Sequence, residues 1–152
     1  MIYVIDASVA IKWFVDEGDQ EKALEITRYE GRLIAPDLIF AEVGNVLRRK
    51  IRLRHISENQ AKESLRILLR TFPSAVPSAD LLEDAFAISS QLDHSVYDAF
   101  YFACALRTDN ASLITADEKF AAKIADAGFG DRVLNLEAAH ARLLKGQEDR
   151  NG

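Results

Sequence analysis

An internal disulfide is out of reach for this chain of 152 residues, because Cys104 is its only cysteine. That residue lies in the apolar stretch Phe102-Ala103-Cys104-Ala105-Leu106, where a buried, inert thiol is the expected state. Histidine is scarce as well: His55, His94 and His140 all stand in polar or helix-end contexts. They offer no Cys/His zinc pattern, and no Ser-His-Asp arrangement stands out. Glycine-rich phosphate loops of either common type are missing. No apolar run approaches the roughly 20 residues needed to span a bilayer. The first residues lack the basic region and long apolar stretch of a signal peptide, so the cytoplasm is the expected compartment and no membrane association is expected. Positive charge is not in excess either. A net charge of -5 and a pI near 5.2 argue against a general nucleic-acid coat protein. They leave a nuclease open, since a bound metal offsets acidic ligands locally.

What is present is an ordinary globular composition, 49% hydrophobic and 28% charged, at a length that suits one domain. Short apolar runs alternate with helical patterns. Residues 2–6, 32–35 and 112–115 read as buried strands, 75–76 as a weak one, and 131–135 as a further candidate. Helices are expected after Ser8, over about 20–30 with Gly31 as a stop, from Asp37 to about Arg52, over about 58–71 and over 79–92. Further helices are expected over 96–108, from about 118 to 127, and over about 136–144. Ser57 with Gln60 forms a capping-box pattern, as does Thr115 with Glu118. Leu82, Ala85, Phe86 and Ser89 would line one side of helix 79–92. Residues 1–144 then form the domain, and 145–152 read as a frayed polar tail. This alternation indicates an α/β fold, three layers α/β/α, around a mainly parallel sheet of four to five short strands.

Four carboxylates stand at junctions of this pattern. Asp6 ends the run Ile2-Tyr3-Val4-Ile5, and Asp117 follows Ser112-Leu113-Ile114-Thr115-Ala116. Glu42 lies near the start of a long helix, and Asp98 opens an apolar one. Sites in parallel sheets form at the carboxyl ends of strands, which puts Asp6 and Asp117 on one edge. Acids beside apolar stretches are costly to bury unless something pairs with them. A hard divalent cation, Mg²⁺ or Mn²⁺, suits such a set. It would clamp a phosphodiester and activate water. Each acid alone also has an ordinary reading. Asp6, Asp98 and Asp117 could serve helix N-termini, and Glu42 could be a solvated helix residue. Other classes compatible with the pattern are a haloacid-dehalogenase-like phosphotransferase, which expects a second Asp where Ser8 stands, and a non-catalytic module that docks a partner.

The segments Val4-Ile5-Asp6-Ala7-Ser8-Val9, Ala41-Glu42-Val43-Gly44-Asn45-Val46-Leu47, Tyr97-Asp98-Ala99-Phe100-Tyr101 and Ile114-Thr115-Ala116-Asp117-Glu118-Lys119-Phe120 resemble the four motifs of PIN-domain ribonucleases. In order, spacing and length they resemble the VapC toxins of type II toxin–antitoxin pairs, over about residues 1–140. The resemblance implies an Mg²⁺- or Mn²⁺-dependent endoribonuclease acting on RNA, a VapB-like antitoxin partner and a homodimer. It makes Asp6, Glu42, Asp98 and Asp117 the acidic, metal-holding residues, with Ser8, Asn45 and Thr115 in support. Gly44, inside the helix, would permit close helix packing. The basic stretch 48–55 is a candidate for steering RNA phosphates, Lys12 for facing the site. The aromatic residues Trp13, Phe14, Tyr97, Tyr101 and Phe102 read as core or interface. The apolar surface around Trp13–Phe14 and 58–70 would serve association.

Overall fold

A short run that is apolar at nearly every position needs cover on both faces, and the two central strands show that. In the computed structural model, which describes residues 1–152, β1 (Ile2–Ile5) and β3 (Ala111–Thr115) are buried almost throughout. They pair in parallel with each other, and β2 (Arg32–Ile34) and β4 (Val133–Asn135) flank them, giving the order β2-β1-β3-β4 with every pairing parallel. The register sets Ile5 opposite Ile114. The chain therefore leaves β1 and β3 side by side at one edge. From β1 it crosses to one neighbour, and from β2 it crosses back to the other side. The carboxyl ends of β1 and β3 thus flank a topological switch point, the position where such sheets open a crevice.

Helices cover the sheet on both sides, as the α/β/α expectation requires. They are α1 (Ala7–Phe14), α2 (Gln20–Ile26), α3 (Leu38–Arg52), α4 (Glu58–Thr71), α5 (Ser78–Leu92), α6 (Val96–Arg107), α7 (Glu118–Ile124) and α8 (Leu136–Asn151). The apolar helix α6 is buried along most of its length and packs against β1 and β3, with α5 laid along it. Trp13 is a core residue: it stacks on Phe72 at 6.1 Å, and its indole N–H donates to Ala23 O at 2.8 Å, tying α2 to α1. The capping box at Ser57 and Gln60 forms as expected.

Several local expectations are corrected. Residues 75–76 form no strand. Val76 makes a single bridge to Pro36, so the sheet has four strands. Helix α2 stops at Ile26 rather than near 30. On α5 the buried residues are Leu81, Ala85 and Ile88, while Leu82 and Phe86 are 53% and 67% exposed. A period of 3.6 allows either stripe, and contact with α6 selects the first. The last helix runs on to Asn151, through residues expected to fray, and Arg150 reaches Glu30 at 2.7 Å. After Ile124 the chain widens into a π-turn over Ala125–Phe129, broken by Gly128 at φ 97°. A Cβ on Gly44 would meet nothing within 4 Å, so no close helix packing depends on that glycine.

Candidate acidic site at the strand ends

The first residue past β1 is Asp6, 2% exposed. It occupies the N-cap position of α1, yet its carboxylate caps nothing. Instead Oδ2 accepts two hydroxyl hydrogen bonds, from Ser8 Oγ at 2.8 Å and from Thr115 Oγ1 at 2.7 Å. Ser8, expected to cap α1, lies inside its first turn. Its Oγ also accepts the Ala116 N–H at 3.0 Å. Thr115 accepts the Asp117 N–H at 3.0 Å. Two hydroxyls thus lock the ends of β1 and β3 together around one carboxylate. They do not offset its burial. Desolvation first, then the nearby charges of Asp98 and Asp117, push the Asp6 carboxyl up to about 6.

Asp117 is the true cap of α7, its Oδ1 accepting the Phe120 N–H at 3.0 Å, which replaces the expected Thr115–Glu118 capping box. Glu42 projects from α3 and is half-buried. Burial, with Asp6 and Asp98 adding to it, raises its carboxyl to about 7 even though Tyr101 donates to Oε1 at 3.0 Å. Asp98 lies in the first turn of α6, where Ser95 caps by accepting the Tyr97 N–H at 3.2 Å. The charges of Asp98 and Asp117 act on Asp6, and those of Asp6 and Asp98 on Glu42, so the four acids lie near one another around the ends of β1 and β3.

The supporting residues divide. Ser8 and Thr115 hold Asp6 directly. Asn45 is exposed, one helical turn after Glu42, and it lines a surface hollow with Arg48, Arg49 and Arg52. Lys12 turns away to Gly18 O at 3.0 Å. Within the basic stretch, Lys50 pairs with Glu17 at 3.1 Å, and Arg48, Arg49, Arg52 and Arg54 are exposed.

Two further residues join the site beyond those expected from the sequence. Tyr101, expected as a core or interface aromatic, is fully buried but ends in the Glu42 hydrogen bond, and the surrounding acids add to burial in raising its hydroxyl pKa. Its one sequence signal is the spacing of three from Asp98, one helical turn. His94, expected only in a polar context, has Nε2 at 2.8 Å from Asp98 Oδ2 and 3.8 Å from Asp117 Oδ2, and its ring stacks on Phe120 at 4.4 Å. Cys104 is buried as expected, its thiol pushed up to about 12 by desolvation, and takes no part.

A four-stranded parallel sheet, helices on both sides and an acidic pocket at the switch point describe a nuclease-type domain. Residues 3–125 match the family model of the PIN domain. The chain is 35% identical over 122 residues to ribonuclease VapC1 of Mycobacterium tuberculosis, covering 78% of this chain and 88% of that one. It is 34% identical over 125 residues to ribonuclease VapC3 of Pyrobaculum aerophilum, covering 81% and 95%. In structure it is similar to PAE2754 from Pyrobaculum aerophilum, with a TM-score of 0.70 and 21% identity over 95% of this chain and 90% of that one. It is also similar to VapBC2 from Rickettsia felis, solved bound to a promoter DNA fragment, with a TM-score of 0.60 and 14% identity over 89% and 98%. The last two likenesses concern the fold. The chain belongs to the PIN-domain family, and within it to the VapC type.

Proposed function

We propose that this protein is a divalent-cation-dependent endoribonuclease, the toxin of a type II toxin–antitoxin pair, working through Asp6, Glu42, Asp98 and Asp117. The observation that carries the reading is Asp6: a buried carboxylate acted on by two hydroxyls and two further acids, with no arginine or lysine among its partners. A charge placed this way calls for a cation from outside the chain. The donor set fits one, since carboxylate oxygens suit Mg²⁺ and Mn²⁺. Such an ion, when bound, would neutralise phosphate charge and lower the pKa of a water.

The chain's own residues then have distinct roles. Ser8 and Thr115 orient Asp6 and fix the spacing of the two strand ends. Asp98 and Asp117 contribute ligand oxygens. Glu42 has a carboxyl near 7, suited to taking the proton of an attacking water at neutral pH, and Tyr101 holds it in place. Arg48, Arg49 and Arg52 give RNA phosphates a basic approach to an otherwise acidic molecule.

The named relatives support RNA as substrate, and VapBC2 supports a VapB-like antitoxin as partner. Of the surface expected to associate, Trp13 is buried, but Ile67 and Leu69 on α4 are left in water, as are Leu82 and Phe86 on α5 and Tyr97 at the start of α6, and a homodimer fits these apolar side chains. Absence of a membrane-length apolar helix is compatible with action in the cytoplasm. The test is cleavage of a mixed RNA pool with Mg²⁺ or Mn²⁺ against an EDTA control, using wild type, Asp6→Asn and Asp98→Asn. Cleavage is expected only from wild type with metal. Equal cleavage by all three folded proteins would remove these acids from the chemistry.

A further inference from the structure

We propose that His94 is a nitrogen ligand of the cation site, and that it biases this site toward Mn²⁺ over Mg²⁺. The proposal rests on the reading that the acidic pocket binds a divalent ion, and not on RNA being the substrate. One trio of side chains carries it: His94, Asp98 and Asp117, whose donor atoms all lie within 4.8 Å of one another. Nε2 is 2.8 Å from Asp98 Oδ2 and 3.8 Å from Asp117 Oδ2. Around a six-coordinate ion with bonds of roughly 2.1 Å, adjacent donors stand about 3 Å apart and opposite donors about 4.2 Å. The 2.8 Å separation is close to that of adjacent donors and the 3.8 Å separation lies between the two, so small side-chain shifts would bring all three donors onto one ion. Asp117 keeps this oxygen free because its other one caps α7.

The imidazole is also held more firmly than a chance neighbour of two acids would be. Its ring lies nearly parallel to Phe120, 17° between planes. Its backbone is stapled to the end of α5, the His94 N–H donating to Ser89 O at 3.1 Å and Ser89 Oγ donating back to His94 O at 2.5 Å. Asp93, just before it, adopts the left-handed conformation at φ 49° that turns the chain from α5 into α6. A left-handed non-glycine residue is an uncommon conformation, and here it aims the ring at both carboxylates. Phe120 and Asp117 belong to one turn, so ring stack and ligand oxygen come from the same element. In the structure Nε2 donates to Asp98 Oδ2 at 2.8 Å; an ion would replace that proton, leaving the ring proton on Nδ1 and the Nε2 lone pair for the metal.

The consequence is selectivity. Mg²⁺ demands oxygen donors and keeps several of its waters. Imidazole favours the later first-row ions, and oxygen donors suit both Mg²⁺ and Mn²⁺; Mn²⁺, larger and softer than Mg²⁺, still takes a nitrogen donor at less cost. Removing the nitrogen should therefore cost Mn²⁺ binding more than Mg²⁺ binding.

The experiment loads the full chain with Mn²⁺ and records pulsed electron paramagnetic resonance. Wild type should show the hyperfine coupling of a directly bound imidazole nitrogen, which requires no variant to fold. His94→Gln should lose that coupling while keeping its thermal transition. By calorimetric titration its Mn²⁺ affinity should drop at least about tenfold, and its Mg²⁺ affinity less than about threefold, reflecting the donor preferences above. Mn²⁺ bound to wild type with no nitrogen coupling would overturn the role of His94 alone. Equal losses for both ions in the variant would do the same. Failure of wild type to bind either ion would overturn the cation site itself.

Discussion

Replacing Asp6 with asparagine should stabilise the metal-free protein, although the residue is buried and doubly hydrogen-bonded. The Asp6 carboxyl titrates near 6 instead of its ordinary 3.8. Each pH unit of such a rise corresponds to about 1.4 kcal/mol, so holding the ionised form in the fold costs about 3 kcal/mol. The sign follows from linkage. A raised carboxyl leaves stability intact below the unfolded value and loses it as pH rises through the folded one. The window is therefore about pH 4 to 6, and the full cost applies at pH 7 and above. The asparagine side chain carries no charge, and its amide oxygen accepts the same Ser8 and Thr115 hydroxyls. In EDTA at pH 8 the variant should gain about 3 kcal/mol. That corresponds to a Tm about 6–12 °C higher, at about 2–4 °C per kcal/mol for a domain of this size. At pH 5 about half of the gain should remain, and near pH 4 little of it. Saturating Mn²⁺ should raise the wild-type Tm and move the variant much less. Calorimetric scans from pH 4 to 8, with and without Mn²⁺, make the measurement. A variant less stable than wild type at pH 8 in EDTA, or a difference that ignores pH, would refute the claim that Asp6 is an uncompensated charge.

Tyr101→Phe removes the hydrogen bond that restrains the Glu42 carboxyl, already near 7. The acidic limb of the cleavage profile should therefore move to higher pH, and an unmoved limb would detach Glu42 from the rate. Gly44→Ala adds a methyl group into open space inside α3, so denaturant unfolding should show a gain of about 0.5–1 kcal/mol; a loss would mean that the glycine serves an unseen contact. Phe86→Glu places a charge on the exposed face of α5, and light scattering should show monomer where wild type shows dimer, with an unchanged mass counting against that face. Alanine at Arg48, Arg49 and Arg52 together should weaken single-stranded RNA binding and flatten its log–log salt dependence by about 2 units, at about 0.7 per lost phosphate contact; an unchanged slope would place the RNA elsewhere.

The parts of this molecule legible in its sequence are those where one local signal has one physical outcome. The short runs at 2–5 and 111–115, apolar but for Ser112 and Thr115, admit little but buried parallel strands. Acids directly after such runs have to lie at their carboxyl edge. The Ser57–Gln60 box forms because both partners sit in one turn. Legibility fails where tertiary packing chooses between equivalents. Leu82 and Phe86 fit a helical stripe as well as Leu81, Ala85 and Ile88 do, and only the position of α6 decides which faces inward. The hydroxyls of Ser8 and Thr115 each read as helix caps, because the carboxylate that takes both of them is brought in by long-range strand pairing, with Thr115 109 residues away from Asp6. His94 is invisible for a similar reason. Its value lies in a left-handed turn at Asp93 and a stack on Phe120, neither of which has a spacing signature.

The same electrostatics bear on how such a protein could be held silent. Asp6 and Glu42 are raised by burial and by neighbouring acids, and neither has a cationic partner within the chain. The pocket therefore has one need, positive charge, that a metal ion or a basic side chain of another protein could meet. Both would relieve the same repulsion among the same carboxylates, so their binding must be mutually exclusive wherever they reach the same oxygens. A hydroxyl clamp that holds Asp6 in shape without neutralising it keeps this competition open. The stability given up at Asp6, about 3 kcal/mol once ionised, is a large share of the roughly 5–15 kcal/mol typical of a domain. An outside cation bound beside Asp6 would offset that cost.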